Sequence, residues 1–358
     1  MADTVLINDL RVQKWLRIYY QEYVRSSGFL PYMGTGTNSI IQVKRELADA
    51  GKTINIPLIT RLKGAGVTGK NTLAGNEEAL GNFNQQVSVD FIRHGVVIHE
   101  ADEKWTVLDL MGAAKDSLTT WAAEKLRDDT ITALGSIDGI AYGTATAGQR
   151  NTWTANNVDR VLFGNAKANY NATHATALNN VTSAMRMTAS VVSLMKRIAK
   201  TADPHIRPTR VTASQGREYF MMFCGSMAFR DLKNDSTMQT ANREARPRDV
   251  EANPIFQDGD LIYDGVVIRE IPEIAGFNNT AGAPVRVEPV YLCGAQALAL
   301  AWGQEPVPIT DKWDYGARKG VGTKEVRGLE KLRFGTGAGG VMKDHGLVTG
   351  FIAAPADA

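Results

Sequence analysis

The segment that most limits how this chain can fold is a ribbon that cannot be stable by itself. Two alternating runs, Lys52 to Lys63 and Gln86 to Ile98, flank the glycine-rich stretch GAGVTGKNTLAGNEEALGN. Ile54, Ile56 and Leu58 take every second position of the first run, and Val87, Val89 and Phe91 do so in the second. Each run therefore presents one apolar edge at the strand period of two. An isolated two-stranded ribbon is marginal in water, and this one carries a long tip between its strands. The economical reading is an arm that packs on another subunit.

A long helix follows the ribbon. Thr106 with Asp109 forms a capping-box pattern that satisfies backbone donors at a helix start, and Gly135 can end the helix. Between them Val107, Met111, Ala114, Leu118 and Trp121 recur at spacings of four and three. The stripe then drifts to Ala122, Leu126 and Ala133, as a straight helix of 3.6 residues per turn requires. Such a rod is roughly 40 Å long, so it needs a sheet or neighbouring chains along one flank. Leu118 and Trp121, in mid-helix on the stripe, are the expected core residues; Gly112 weakens the first turn.

Composition sets outer bounds. A chain of 358 residues with 44% hydrophobic content can bury a sizeable core, and roughly two or three domains fit its length. The longest apolar runs, such as Ala297 to Trp302, fall far short of the ~20 residues that span a bilayer. The start MADTVLINDL is acidic where a secretory leader is basic and apolar, so the chain is expected to stay in the compartment where it is made, with no membrane partner. Cys224 and Cys293 give no disulfide framework and suit a reducing cytoplasm as core residues.

Lys and Arg total 40 against 38 acidic residues, which excludes an overall basic field. One local excess stands out: Arg318, Lys319, Lys324, Arg327, Lys331 and Arg333 against Glu325 and Glu330. These cations suit sequence-independent contacts to DNA phosphates, or equally a solvated strand face or ion pairs to neighbouring subunits. Glu77 and Glu78, at the ribbon tip, are the expected counterparts of this segment in an adjacent copy. Lys70 is expected as an exposed lysine of the same tip.

Three patterns imitate catalytic motifs. GAGVTGKN at 64 to 71 matches a phosphate-binding loop up to Asn71, which replaces the Ser or Thr that would hold magnesium. That loop should also open a helix, whereas the following residues contain Gly75 and Gly81 and lead into a strand. Gly335, Gly337 and Gly340 have GxGxxG spacing but precede a turn and a strand. His94 and His99 lie near Glu100 without zinc-ligand spacing, and positions five apart on a strand face opposite sides. No catalytic, cofactor or metal residues are assigned, and a phosphate-loop enzyme acting through Lys70 is the weakest reading.

Elsewhere, residues 1 to 51 combine an amphipathic helix candidate, with Val12, Trp15, Leu16, Tyr19 and Tyr23 on one side, and a turn-rich extended arm. The asparagine-rich stretch Asn151 to Asn180 reads as loop around a short strand. A second helix is expected near Leu178 to Lys200, with Val181, Met185, Thr188, Val192, Met195 and Ile198 on one stripe. Asp264 and Gly265 between LIY and VVI mark a tight hairpin.

The series of these segments resembles the major capsid proteins of tailed bacteriophages with the Hong Kong 97-type fold, and within them the family typified by phage N4. The stretches that carry the resemblance are GVTGKNTLAGNEEAL and FIRHGVVI at 66 to 98, LTTWAAEKLRDDTITAL in the helix, and FRDLKND at 229 to 235. NPIFQDGDLIYDGVVIREIPEI at 253 to 274, GAQALALAWG at 294 to 303 and WDYGARKGVGTKEVRGLEKLRFG at 313 to 335 complete it. The resemblance implies a mixed α+β subunit with an N-terminal arm (1 to 51) and an extended loop (52 to 100). A peripheral domain on the spine helix (101 to 180 with 300 to 358) and an axial domain (181 to 299) would follow. Copies would assemble in the host cytoplasm into hexamers and pentamers of an icosahedral head around double-stranded DNA. Scaffold, portal and decoration proteins would be further partners. A nonviral encapsulating shell of the same fold is the alternative.

Overall fold

The computed structural model of the chain describes residues 28–47, 51–106, 108–210, 218–244 and 260–357. The amphipathic stretch around Trp15, Val107 at the head of the helical stripe and most of NPIFQDGD lie outside these residues. The chain divides into two compact units. Among the described residues, one holds 91–126 and 304–326, and the other holds 28–90, 127–303 and 327–358 as far as these are described.

The larger unit is organised by a sheet whose strands run in the order Val161–Phe163, Leu347–Ala353, Arg286–Cys293, Glu218–Cys224, Val266–Glu270 and Asp260–Tyr263. Arg286–Cys293 pairs antiparallel with Leu347–Ala353 and Glu218–Cys224, Val161–Phe163 pairs in parallel with Leu347–Ala353, and Val266–Glu270 pairs in parallel with Glu218–Cys224 but antiparallel with Asp260–Tyr263. The central strands are buried on both faces, so they read as continuous apolar runs. Alternation sorts their side chains. Val290, Leu292, Val348 and Ile352 join one core with Val192, Met195 and Ile198 from the helix Ala189–Thr201 and Phe229 and Leu232 from the helix Ser226–Asn234. Val287, Phe351 and Ala353 join another with Trp153, Phe163, Leu178 and Val181. Cys224 and Cys293 lie fully buried in these strands, and burial pushes both thiols far up. The hairpin at Asp264 and Gly265 forms, both residues taking the left-handed backbone that a tight turn needs (φ 47° and 69°).

This unit takes in residues that the resemblance assigns to the peripheral domain, because Val161–Phe163 and Leu347–Ala353 are strands of its sheet. The stretch 151 to 180 is also more regular than its composition implies. Ala147–Asn156 is a helix begun by a capping box of Thr146 and Gln149, and His174–Asn179 is another. The asparagines hold the turns between them: Asn157 donates to the Trp153 carbonyl and accepts from the Asp344 amide, and Asn151 accepts from the His174 amide. The second long helix is shorter than its stripe. It begins at Ala189, and Val181 to Thr188 runs irregularly, with Arg186 bridging to Ala353.

The ribbon forms with strands Thr53–Ile59 and Asn82–Ser88, Ile54 opposite Val87 and Leu58 opposite Phe83. Its return strand begins earlier than the alternation implies and stops at Ser88. Asp90–His99 is a separate strand, which leaves Phe91 47% exposed rather than on the ribbon's apolar edge. In a further sheet, Arg318–Lys331 lies between Asp90–His99 and Leu298–Trp313.

The spine helix runs Leu110–Gly135. It starts three residues later than the capping box implies. Asp109, not Thr106, accepts from the amide at the third helical position, Gly112, whereas Thr106 accepts from Leu108 and ends a short helix, Glu100–Trp105. Leu118 is buried, and Trp121 is half-buried with its ring 4.6 Å from that of His94. Towards the helix end the buried residues include the polar Arg127 and Thr130, which an apolar stripe does not reveal.

Candidate intersubunit contact surfaces

The ribbon stem finds its partner in its own chain. Gln85, 5% exposed, donates to the Lys331 carbonyl at 2.9 Å and accepts from the Arg333 amide, so the return strand is fastened by a side chain of polar type at an apolar-edge position. At the outer end of the stem, the Lys63 ammonium meets the Asp203 carboxylate at 2.8 Å, and this contact holds the carboxyl below its usual range.

Beyond the stem the chain has no regular structure from Thr60 to Gly81, and it is exposed almost throughout. It is nevertheless shaped by its own carboxylates. Glu78 accepts from the Lys63 amide at 2.7 Å and from the Gly64 amide, and these bonds hold its pKa below the ordinary glutamate value. Glu77 accepts from the Gly75 amide at 2.7 Å, and the Asn76 side-chain amide donates to the Thr72 carbonyl. Lys70 stands in solvent. The same stretch and its edge expose Ile59, Leu62, Leu73 and Leu80, each more than half accessible. Sequence reading passed over these four because they follow no period; their number in a glycine-rich, otherwise polar tip was the available signal.

The basic segment is not one surface. Arg327 is 3% exposed and paired with Asp129 at 2.7 Å, and Lys331 is 1% exposed and paired with Asp344 at 2.8 Å. Arg333 pairs with Asp138 at 3.2 Å, and Lys319 with Glu103 at 2.5 Å. Arg318 is exposed, 3.9 Å from Asp314, and Lys324 is half-buried. Alternation along a strand explains the split: the charges of one face are neutralised inside the chain, and the excess counted along the sequence does not add up to a field.

The catalytic look-alikes dissolve in place. GAGVTGKN lies in the exposed tip, and no helix follows it. Gly335 to Gly340 is loop with one short helical turn. His99 accepts from the Ala101 amide at the head of a short helix, and His94 packs on Trp121, so the two rings have separate tasks. A hydroxyl and an imidazole do meet at Thr154 Oγ1, 2.8 Å from His174 Nδ1, with the Tyr142 hydroxyl 2.9 Å from Nε2. Thr154 is fully buried, and desolvation pushes His174 down to about 4 and Tyr142 up to about 12. Thr154 and His174 are both buried, and their bonds satisfy polar groups set among aromatic rings.

The mixed helix-and-strand architecture matches solved phage capsid subunits, consistent with the Hong Kong 97-type expectation. The capsid subunit of the cyanophage Pam1 superposes with a TM-score of 0.91 at 44% identity, with all of both chains covered. That of the Ralstonia phage GP4 superposes with 0.75 at 22% identity over all of both chains, a likeness of fold. A major capsid protein of the Pseudomonas phage KPP25 is 28% identical over 374 residues, 94% of each chain. The model of the phage capsid protein family matches residues 4–356, and the chain belongs to that family. Its members build shells and are not enzymes.

Proposed function

We propose that the chain is the major capsid protein of a tailed double-stranded DNA phage, assembling into hexamers and pentamers of an icosahedral head around the genome. The observation that carries this reading is the ribbon: its stem is secured to its own chain, while its tip holds a fixed shape and exposes Ile59, Leu62, Leu73 and Leu80. A monomer gains nothing from such a surface; a neighbouring copy that covers it gains roughly 1.5–3 kcal/mol for each side chain fully buried.

In this reading residues 1 to 51 act as an arm and 52 to 100 as the extended loop. Residues 101 to 180 with 300 to 358 take the peripheral role and 181 to 299 the axial one. Lys70, Glu77 and Glu78 meet a neighbour, for which Arg318 is the most accessible cation of the basic segment. Lys319, Arg327 and Arg333 support that segment through their internal pairs. DNA is held without sequence preference inside the shell, which forms in the host cytoplasm with scaffold, portal and decoration proteins as further partners.

Expression of the chain followed by light scattering and electron microscopy tests the proposal. Closed particles or capsomers are expected, with the free subunit a minor species. A monodisperse monomer at high concentration under all assembly conditions overturns it, and particles from the native source filled with protein rather than DNA assign the chain to a nonviral shell.

A further inference from the structure

The turn joining Leu298–Trp313 to Arg318–Lys331 is built against the preferences of its residues. Asp314 and Tyr315 have φ of 55° and 52°, followed by Gly316 at 91°. Aspartate and glycine accept the left-handed region, whereas a bulky aromatic residue rarely does. Tyr315 is nonetheless held there, and its relative exposure of 110% is the highest among the exposed large hydrophobic residues. Among the described residues its ring meets no other ring, and its hydroxyl makes no hydrogen bond.

The rest of the turn is well determined. Trp313 packs over Gly320, where a Cβ would come within 2.6 Å of the indole, so no larger residue fits beneath it. The Ala317 carbonyl accepts from the Glu100 amide at 2.8 Å and sets the helix Glu100–Trp105 against the turn. That helix ends in Trp105, 81% exposed. A strained backbone thus presents one free aromatic side chain, and the short helix bonded to the turn exposes a second at its far end. Strain held in place by its surroundings marks functional positions, and tyrosine and tryptophan are the residues that most often carry binding energy at protein contacts.

The charges around the ring indicate what it meets. Asp311, Lys312, Asp314 and Arg318 flank it, two of each sign, with Asp314 and Arg318 3.9 Å apart. Such a surface offers nucleic acid no net attraction, but a second copy of itself can face it with opposite charges opposed. We infer that Tyr315, with Trp105 at the far end of the helix bonded to the turn through Glu100, anchors a contact between this turn and a second copy of the chain in the shell. The inference rests on the shell reading and adds to it a contact separate from the ribbon tip.

Tyr315→Asn separates contact from strain, because asparagine accepts the left-handed backbone and removes the ring. The free subunit is expected to melt at an unchanged or higher temperature while particle yield at limiting protein concentration falls about tenfold, equivalent to about 1.4 kcal/mol. Tyr315→Phe should retain most of the yield, and Trp105→Ser should lower it with the subunit intact. Full yield from Tyr315→Asn, beside particles from the unsubstituted chain, overturns this inference alone. A lowered subunit melting temperature in that variant also overturns it, by giving the ring an internal role. Absence of particles from the unsubstituted chain overturns the shell reading first.

Discussion

Charge is put to opposite uses at two places in the larger unit. Near the end of Arg318–Lys331, Lys331 and Asp344 are almost fully buried, and Asp344 Oδ2 takes both the Lys331 ammonium at 2.8 Å and the Trp153 indole N–H at 3.1 Å. Arg160, 1% exposed, donates to the carbonyls of Asp344, His345 and Pro204. At the ribbon tip Glu77, Glu78 and Lys70 stand in water, and among the described residues the two carboxylates bond to backbone amides of the tip. The buried charges were costly to desolvate and hold only as a complete set; the tip charges cost the fold little and are free to act between copies. Runs of charge along the chain do not distinguish the two cases.

The sharpest way to break this comparison is to remove one buried partner. Asp344→Ala leaves the Lys331 ammonium and the Trp153 indole N–H without their acceptor and should destabilise the subunit by about 3–5 kcal/mol, read as a shift of the denaturation midpoint. Replacing both members, Lys331→Met with Asp344→Leu, should recover a large part of that loss, since paired removal leaves no isolated charge. A single substitution that is tolerated without loss would place the pair in solvent and end the contrast.

A smaller effect concerns acid. Burial, with Arg150 adding to it, holds His174 down to about 4, and burial with Arg160 beside it does the same for His345. Both stay neutral in the folded chain while an unfolded histidine takes up a proton near pH 6.5. The unfolded state therefore binds more protons between about pH 6.5 and 4, and stability present above that window is lost as pH falls through it, on the order of 2 kcal/mol for each histidine. His174→Gln, which can keep bonds to Thr154 and Tyr142, should flatten part of the slope in a melting series from pH 7 to 4. An unchanged slope in both this variant and His345→Gln would assign the acid sensitivity to carboxylates.

How far the fold was legible follows from the same division. Where one face of an element is apolar, the pattern reached the right answer: Ile54, Ile56 and Leu58 share an edge of the ribbon, Leu118 lies in the core, and Val192, Met195 and Ile198 pack on the sheet. Boundaries failed where polar residues decide them. Asp109 rather than Thr106 caps the spine helix, Gln85 sits among apolar positions because two backbone groups need it, and asparagines order a stretch that reads as loop. The tip was legible as an exposed loop, but the chemistry of the contact proposed for it was not. Its exposed leucines follow no period, and Tyr315 is distinguished by a backbone angle that a sequence does not display.

The smallest effect on the fold is expected at the tip, and it sharpens the comparison from the other side. Lys70→Ala removes an exposed loop cation and should change stability by no more than about 0.5 kcal/mol, with no nucleotide bound before or after. Reversing Glu77 and Glu78 to lysine should leave the subunit's secondary structure and melting temperature intact, because these carboxylates order only the local turns at Gly64 and Gly75. Assembly is the property that should suffer, and more at low salt than at high, since screening shortens the reach of exposed charges. Glu78→Gln separates two contributions: the amide oxygen can still accept from the Lys63 or Gly64 amide, so a defect that persists in this variant comes from charge rather than from tip shape. Particle yield across a salt series, set beside circular dichroism of the unassembled chain, reads both. Undiminished assembly of the double reversal at low salt would leave the carboxylates to solvent and place the tip's contribution in Ile59, Leu62, Leu73 and Leu80. A collapse of secondary structure would instead give the tip an internal duty like that of Asp344, and the contrast between the two regions would be lost.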